Sequence, residues 1–306
     1  FIDEEESRGS QKWLRLLEGL GGIFRSGIDK YLQTLQVGCL KMELSAAAER
    51  RGSVTPVLQI RDLSVARSGE LVIQGINLDV RKGEFVGLVG PNGSGKTTLL
   101  LTILGLLEPI PNTGGEVRLY GNDGFSKSDH GRIGWVPQAG SKIPNHIRIT
   151  VREIVGLGTL NSRNLSVFGG SSRNLRVERA LEMVGLVDKA DSEISRLSGG
   201  ELQRTIIARA LASEADFLLL DEPLVGVDPP SRNSLLKLLD DLCHQENITI
   251  LMVSHDLTAI SQAAHRIIYL EGGVRFDGPS EDLPDFSSLA GLRGIKHVHD
   301  DHRHGH

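Results

Sequence analysis

Gly90-Pro91-Asn92-Gly93-Ser94-Gly95-Lys96-Thr97 stands between the apolar run Phe85–Val89 and a leucine-rich stretch over 97–107. The spacing G-x-x-x-x-G-K-[ST], between a strand and a helix, is that of a phosphate loop. Each residue type has a reason to be there. The glycines let the backbone curl until several N–H groups converge on a β-phosphate. The helix that follows adds the partial positive charge of its N-terminus. Lys96 brings a compact cation to the β- and γ-phosphates, and Thr97 offers a hydroxyl to Mg²⁺. The bland alternative, a glycine-rich turn capping an ordinary helix, is outweighed by that context.

Downstream, the apolar run Phe217-Leu218-Leu219-Leu220 ends in Asp221-Glu222. A buried strand would carry both carboxylates to the edge where open parallel sheets place ligands. Asp221 suits Mg²⁺, directly or through water, and Glu222 suits a general base on an attacking water. Alone, two solvated acids at a strand end would explain the pair equally well. The phosphate loop upstream favours the catalytic reading. Around these motifs the apolar pattern predicts strands over 57–65 and 73–80, then helices over 176–185, 201–212, 231–245 and 257–264. It predicts further strands over 216–221, 248–253 and 266–270. Strands separated by helices imply a largely parallel sheet with covered faces, and the helix-free start implies an antiparallel portion.

Leu197-Ser198-Gly199-Gly200-Glu201-Leu202-Gln203-Arg204 is by itself a Ser-Gly turn before a helix, able to present N–H groups to an anion. In order with the other two motifs it resembles the signature of the ATP-binding-cassette (ABC) ATPases, and the resemblance covers about 56–280. It implies an α/β fold: a P-loop NTPase (RecA-like) core with an antiparallel β-subdomain and an inserted α-helical subdomain at about 139–212. It also implies ATP and Mg²⁺, with hydrolysis to ADP and phosphate. Gly90, Asn92, Gly93, Ser94, Gly95, Lys96, Thr97 and Thr98 would hold the nucleotide. Gln138, in Trp135-Val136-Pro137-Gln138, matches the glutamine that contacts Mg²⁺ and links core to helical subdomain. Thr97 and Asp221 would complete the Mg²⁺ set. His255, in Val253-Ser254-His255-Asp256, matches the switch histidine on the γ-phosphate, so that Glu222, His255, Gln138 and Lys96 form the catalytic group. Asp228, in Val225-Gly226-Val227-Asp228, matches the D-loop aspartate. In such ATPases two cassettes pair head to tail, and Ser198, Gly199 and Gly200 of one would close over the γ-phosphate held by Lys96 of the other. One departure stands out. The family stacks an aromatic residue on adenine shortly after the first strand, and here that segment reads Leu63-Ser64-Val65-Ala66-Arg67-Ser68-Gly69. Arg67 stands about where the aromatic would be, and a guanidinium can stack on a π face. The sequence does not rank Val65, Ala66 and Arg67.

The chain has 306 residues, 39% hydrophobic and 24% charged, which reads as a globular protein. With 34 basic and 39 acidic residues the net charge is −5, which argues against a broad nucleic-acid-binding face. No apolar run approaches the 18 or so residues of a membrane span, so any span must come from another chain. The expected partners are a second cassette, integral membrane permease subunits and a metal-binding substrate-binding protein. The expected place is the inner face of the cell membrane. Two cysteines, Cys39 and Cys243, offer neither metal spacing nor a disulfide framework. Residues 1–55 form an N-terminal extension with an amphipathic pattern from Trp13 to Leu35, interrupted by Gly21-Gly22. Met42 is a candidate initiator, in which case 1–41 would be upstream sequence.

Two features bear on cargo. The stretch Asp221 to Asp228 together with Ser254-His255-Asp256-Leu257 resembles the ATPase subunits of zinc and manganese uptake systems. The tail, 281–306, ends with His297, His299, His302, His304 and His306 among acids, five of the ten histidines in the chain. Imidazoles suit Zn²⁺, and His-rich tracts bind metal, although a solvated terminus with incidental affinity is an equal reading. Ile147, Ile149, Val151, Ile154 and Val155 offer either an apolar face for a permease helix or ordinary subdomain core. The competing functions are an ABC ATPase for another cargo, a soluble ABC ATPase that remodels a macromolecular machine, and a nucleotide-binding module without turnover. A single cassette without heptads counts against the machine, and intact Glu222 and His255 count against the last.

Overall fold

The structure, a computed structural model, describes residues 56–111, 115–125, 129, 131–138, 148–160 and 170–283. The N-terminal extension, Cys39, Ile147 and the five tail histidines lie outside them. In chain order the strands and helices are β1 (Leu58–Arg67), β2 (Glu70–Val80), β3 (Phe85–Val89), α1 (Lys96–Ile103), β4 (Glu116–Leu119), β5 (Asn122–Asp123) and β6 (Ile133–Val136). Then follow α2 (Val151–Leu157), α3 (Gly170–Val184), α4 (Gly199–Leu211), β7 (Phe217–Asp221), α5 (Pro229–Glu246), β8 (Thr249–Ser254), α6 (Leu257–Ser261), β9 (Arg266–Leu270) and β10 (Val274–Pro279).

Two sheets carry the fold. One is antiparallel, in the order β2-β1-β4-β5, and the other has the order β10-β9-β3-β8-β7-β6 with only β10 antiparallel. Every residue of β3, β7 and β8 is buried, which is why these strands read as unbroken apolar runs. Their side chains alternate between two cores. Phe85, Leu218, Leu220, Ile250 and Met252 pack with the helices α2 to α6. Val86, Leu88, Phe217, Leu219, Leu251 and Val253 pack with α1 and the antiparallel sheet. The period of two follows from the pleat.

Local chemistry sets the element ends. Ser68 (φ 54°) and Gly69 (φ 84°) join β1 to β2, with Arg67 opposite Glu70. That is the two-residue hairpin with both turn residues at positive φ, whose twist matches the strands. Helix α1 stops at Ile103, short of the 107 expected. The Leu106 N–H bonds Leu101 O at 2.8 Å, the Gly105 N–H bonds Thr102 O at 3.0 Å, and Gly105 has φ 67°. These two reversed bonds form a Schellman stop. Likewise α6 ends at Ser261 rather than 264.

Helices α2, α3 and α4 lie between β6 and β7 in sequence and pack on one another. Val151, Ile154 and Val155 are buried in that packing, with Ile149 half-buried beside them, so these residues are core rather than a docking face. The helix period turns them inward, leaving Leu157 and Leu160 exposed. Cys243 is buried and unpaired, and burial pushes its thiol up to about 12, which leaves it unreactive.

Candidate functional site

Strand order gathers the motifs. β3, β8, β7 and β6 are successive neighbours, and their carboxyl ends are in register: Val89 opposite Ser254, Val253 opposite Asp221, Leu220 opposite Val136. The phosphate loop, His255, Asp221-Glu222 and Gln138 therefore emerge along one edge. The chain order reverses at β3, which lies between β9 and β8, and such a switch point is where open α/β sheets leave a crevice for a ligand.

The loop itself is tightly built. Gly95 has φ 98°, and a Cβ there would lie 2.2 Å from Ile73 Cγ2 of β2. Only glycine fits where the antiparallel sheet presses so closely on the start of α1. Lys96 is 7% exposed, and its ammonium donates to Gly90 O and Pro91 O, each at 2.9 Å. Burial lowers its pKa from the ordinary lysine value, opposed by the carboxylates of Glu222 and Asp221. Ser94 is 6% exposed, and its Oγ has no hydrogen-bond partner among the described residues. A buried hydroxyl left unpaired inside a cradle of amides is an unmet demand for an external acceptor. Asn92, Gly93 and Thr97 are exposed, and Thr98 is buried on α1.

Across from the loop, the Thr97 hydroxyl lies 3.2 and 3.4 Å from the two Asp221 oxygens. Asp221 is 4% exposed. Burial raises its pKa above the ordinary aspartate value, opposed by the Thr97 hydroxyl and by Lys96, while Glu222 adds to the rise. The native state then binds more protons than the unfolded chain just above the ordinary aspartate range, so stability falls as pH rises through that window. In nucleotide-free, Mg²⁺-free buffer, acidification towards that range should raise the melting temperature of the wild-type chain relative to Asp221→Asn. A difference in melting temperature that does not change with pH would refute this.

Glu222 sits at φ 52°, an uncommon backbone state for a residue with a side chain. Its Oε2 accepts from the His255 backbone N–H at 3.3 Å and lies 2.7 Å from His255 Nδ1. The Glu222 side chain is 10% exposed and that of His255 is 59% exposed. The pair thus presents an accessible imidazole backed by a buried carboxylate.

The remaining sequence-derived residues form a second group. Ser198 caps α4: its Oγ accepts from the Glu201 N–H at 3.2 Å, and its own N–H donates to Glu201 Oε2 at 2.9 Å. Gly199 packs so closely that a Cβ would lie 2.8 Å from Gly226 O, and Gly200 lies against Ser231. Asp228 caps α5 by accepting from the Ser231 N–H at 3.1 Å, and the bonds from Ser231 hold its carboxyl below the ordinary aspartate range. Ser198, Gly199 and Asp228 are all exposed. Gln138 is exposed beyond β6. Of the three residues left unranked for base contact, Val65 is buried, Ala66 half-buried and Arg67 exposed at the hairpin. Sequence reading had no motif for Arg232. Its Nε donates to Val227 O at 2.7 Å, and its Nη1 lies 3.8 Å from Asp256 Oδ2.

Among the described residues, one further cluster has the composition of a metal site: Asp240, His244 and His265. The backbone N–H of Phe85 donates to His265 Nδ1 at 3.2 Å. The neutral ring therefore carries its proton on Nε2, the atom 3.8 Å from Asp240 Oδ1, and has no lone pair there for a cation.

The sequence profile of the ABC transporter family matches residues 73–225. The zinc uptake system ATP-binding protein ZurA of Listeria innocua is 34% identical over 230 residues, which cover 75% of this chain and 88% of ZurA. The manganese transport system ATP-binding protein MntB of Bacillus subtilis is 35% identical over 232 residues, 76% of this chain and 90% of MntB. Among solved structures, the ATP-binding cassette MJ0796, in a dimeric post-hydrolysis state bound to ADP and Pi, superposes with a TM-score of 0.60. It is 28% identical, covering 74% of this chain and 100% of MJ0796. Likeness on this scale, over nearly nine-tenths of the two curated relatives' own length, makes the chain a member of the ABC transporter family: an ATP-binding, ATP-hydrolysing cassette.

Proposed function

We propose that this cassette powers the uptake of a divalent metal ion, zinc or manganese, through membrane permease subunits. The observation that carries the cargo is the likeness to ZurA and MntB, about a third identical over three quarters of the chain. The working unit is a head-to-tail pair of cassettes at the inner face of the membrane, supplied with metal by a substrate-binding protein. The ATPase domain spans 56–280 with its helical subdomain at about 139–212. Residues 1–55 and the His-rich 281–306 are appendages, the latter a weak Zn²⁺ ligand set through His297, His299, His302, His304 and His306.

In this reading the loop amides from Gly90 to Thr98, with Asn92, Gly93, Ser94 and Gly95, cradle the ATP phosphates, and Lys96 neutralises them. Arg67 stacks on adenine from the hairpin. Thr97 and Asp221, two hard oxygen donors 3.2 Å apart, with Gln138, suit Mg²⁺. Bound there, Mg²⁺ would supply charge neutralisation across the β- and γ-phosphates. Glu222 takes a proton from the attacking water, and His255 orients against the γ-phosphate. Ser198, Gly199 and Asp228, all exposed, and the buried Gly200 serve the partner cassette's nucleotide.

Deleting the gene in its host and titrating Zn²⁺ and Mn²⁺ separately into chelated medium tests the cargo. The expected result is a growth defect rescued by excess of one metal alone, which names it. Normal growth under both limitations would count against metal uptake.

A further inference from the structure

We infer that Arg232 is a positioning residue that ties the loop ending in Asp228 to the loop carrying His255. The inference rests on the roles proposed for His255 and Glu222. Arg232 lies in the first turn of α5, where its backbone N–H bonds Asp228 O at 2.9 Å. Its side chain folds back past that turn. Nε donates to Val227 O at 2.7 Å, and Nη1 faces Asp256 Oδ2 at 3.8 Å. Asp256 is held from its other sides. Its Oδ1 accepts from the Ala259 N–H at 3.0 Å, capping α6, and its N–H donates to Ser254 Oγ at 3.0 Å. One carboxylate oxygen thus fixes the helix, and the other is left for the guanidinium.

The next residue back is His255, bonded through both its backbone N–H and Nδ1 to Glu222. A continuous series of contacts therefore runs from Val227 through Arg232 and Asp256 to His255 and Glu222. At its other end Val227 is buried, and the same loop touches the start of α4, Gly199 against Gly226 and Gly200 against Val227, with Gly200 also against Ser231 of α5. The guanidinium hydrogen-bonds Val227 O and at the same time sets its charge within ion-pair distance of Asp256, and its planar fork fixes both directions where an ammonium on a flexible stem would not. Displacement of the exposed Asp228 loop is passed to the imidazole by this one side chain.

The test is steady-state ATP hydrolysis by the purified full chain over a range of ATP concentrations. The variants are Arg232→Met, Arg232→Lys, Asp256→Asn and the Arg232→Met/Asp256→Asn double, with Glu222→Gln as control. Asparagine keeps the helix cap and removes only the charge. Arg232→Met should lower kcat about tenfold with KM little changed, and Arg232→Lys should recover only part of it. Asp256→Asn should lower kcat about threefold, and the double variant should be no worse than Arg232→Met, because both remove one link. Wild-type kcat in Arg232→Met, a loss confined to KM, or multiplicative effects in the double variant would overturn the tether. Should Arg232→Met not fold, Asp256→Asn alone decides: a reduced kcat supports the tether and a wild-type kcat overturns it. An inactive Glu222→Gln with a wild-type Arg232→Met sinks the tether alone. A fully active Glu222→Gln sinks the assigned base as well.

Discussion

Glu222→Gln is expected to bind ATP and to hydrolyse it at least about 100-fold more slowly than the wild-type chain. The substitution is nearly isosteric. The amide oxygen still accepts from the His255 backbone N–H and from Nδ1–H, the two bonds that hold the carboxylate now. The backbone at φ 52° has no reason to relax, since glutamine carries the same Cβ. What disappears is the proton acceptor. The cradle from Gly90 to Thr97 and the Thr97–Asp221 pair are untouched, so affinity should survive. Without turnover, ATP should hold two cassettes together. Size-exclusion chromatography with and without ATP should therefore show a dimer in the variant only when ATP is present. Turnover at the wild-type rate would remove Glu222 from the role of base.

Lys96→Ala should act earlier and lose both binding and turnover. The ammonium is the cation within the loop, buried and gripped by Gly90 O and Pro91 O. Alanine leaves those two carbonyls facing the phosphates, with Asp221 and Glu222 beyond them and nothing to offset the charge. Loss of a preorganised group of this kind costs about 100- to 1,000-fold in turnover. Helix α1 should persist, since alanine is a strong helix former. Arginine should not restore function, because its planar fork does not fit a space shaped for a point charge. Equilibrium binding of a fluorescent ATP analogue, with melting temperature as the fold control, separates lost affinity from lost structure. Tight binding by a folded Lys96→Ala would contradict the assignment.

Most of the parallel half of the fold was legible from residues alone because β3, β7 and β8 are buried on both faces, whereas the half-buried edge strand β6 was missed. Phe85–Val89 and Arg266–Leu270 match the expected bounds, and β7, α4 and α5 match within one or two residues at each end. The short outer strands with exposed residues were not. β4 and β10 are largely exposed and mix charge with apolar residues, and β5 is two exposed polar residues, so neither period declares itself. Helix α2 was missed as a helix although Thr150-x-x-Glu153 is a capping box, with the Glu153 N–H on Thr150 Oγ1 at 3.2 Å and the Thr150 N–H on Glu153 Oε2 at 2.8 Å. Its valines and Ile154 left a docking surface and ordinary core equally open, because hydrophobicity alone does not say which way a helix faces. The residues proposed for the ATP site could be named from sequence because the chemistry they are proposed for requires fixed spacing. Arg232 could not, because a tether works through distance in space, and nothing in the local sequence records that Asp256 lies opposite.

β3 pairs only with β9 and β8, strands that follow it by more than 160 residues. The Phe85–His265 bond alone spans 180 positions. On a ribosome adding about 5 to 20 residues per second, the glycine loop leaves the exit tunnel about 10 to 40 seconds before the neighbours of its strand exist. Throughout that interval an apolar five-residue strand with two open edges is exposed to every other nascent chain nearby. Nucleotide cannot act as a folding template during this time, since the edge it would bind is assembled only when residues near 270 arrive. A transcript cut short after the codon for Thr97 but before that point yields a protein that has the entire phosphate-binding sequence and no site.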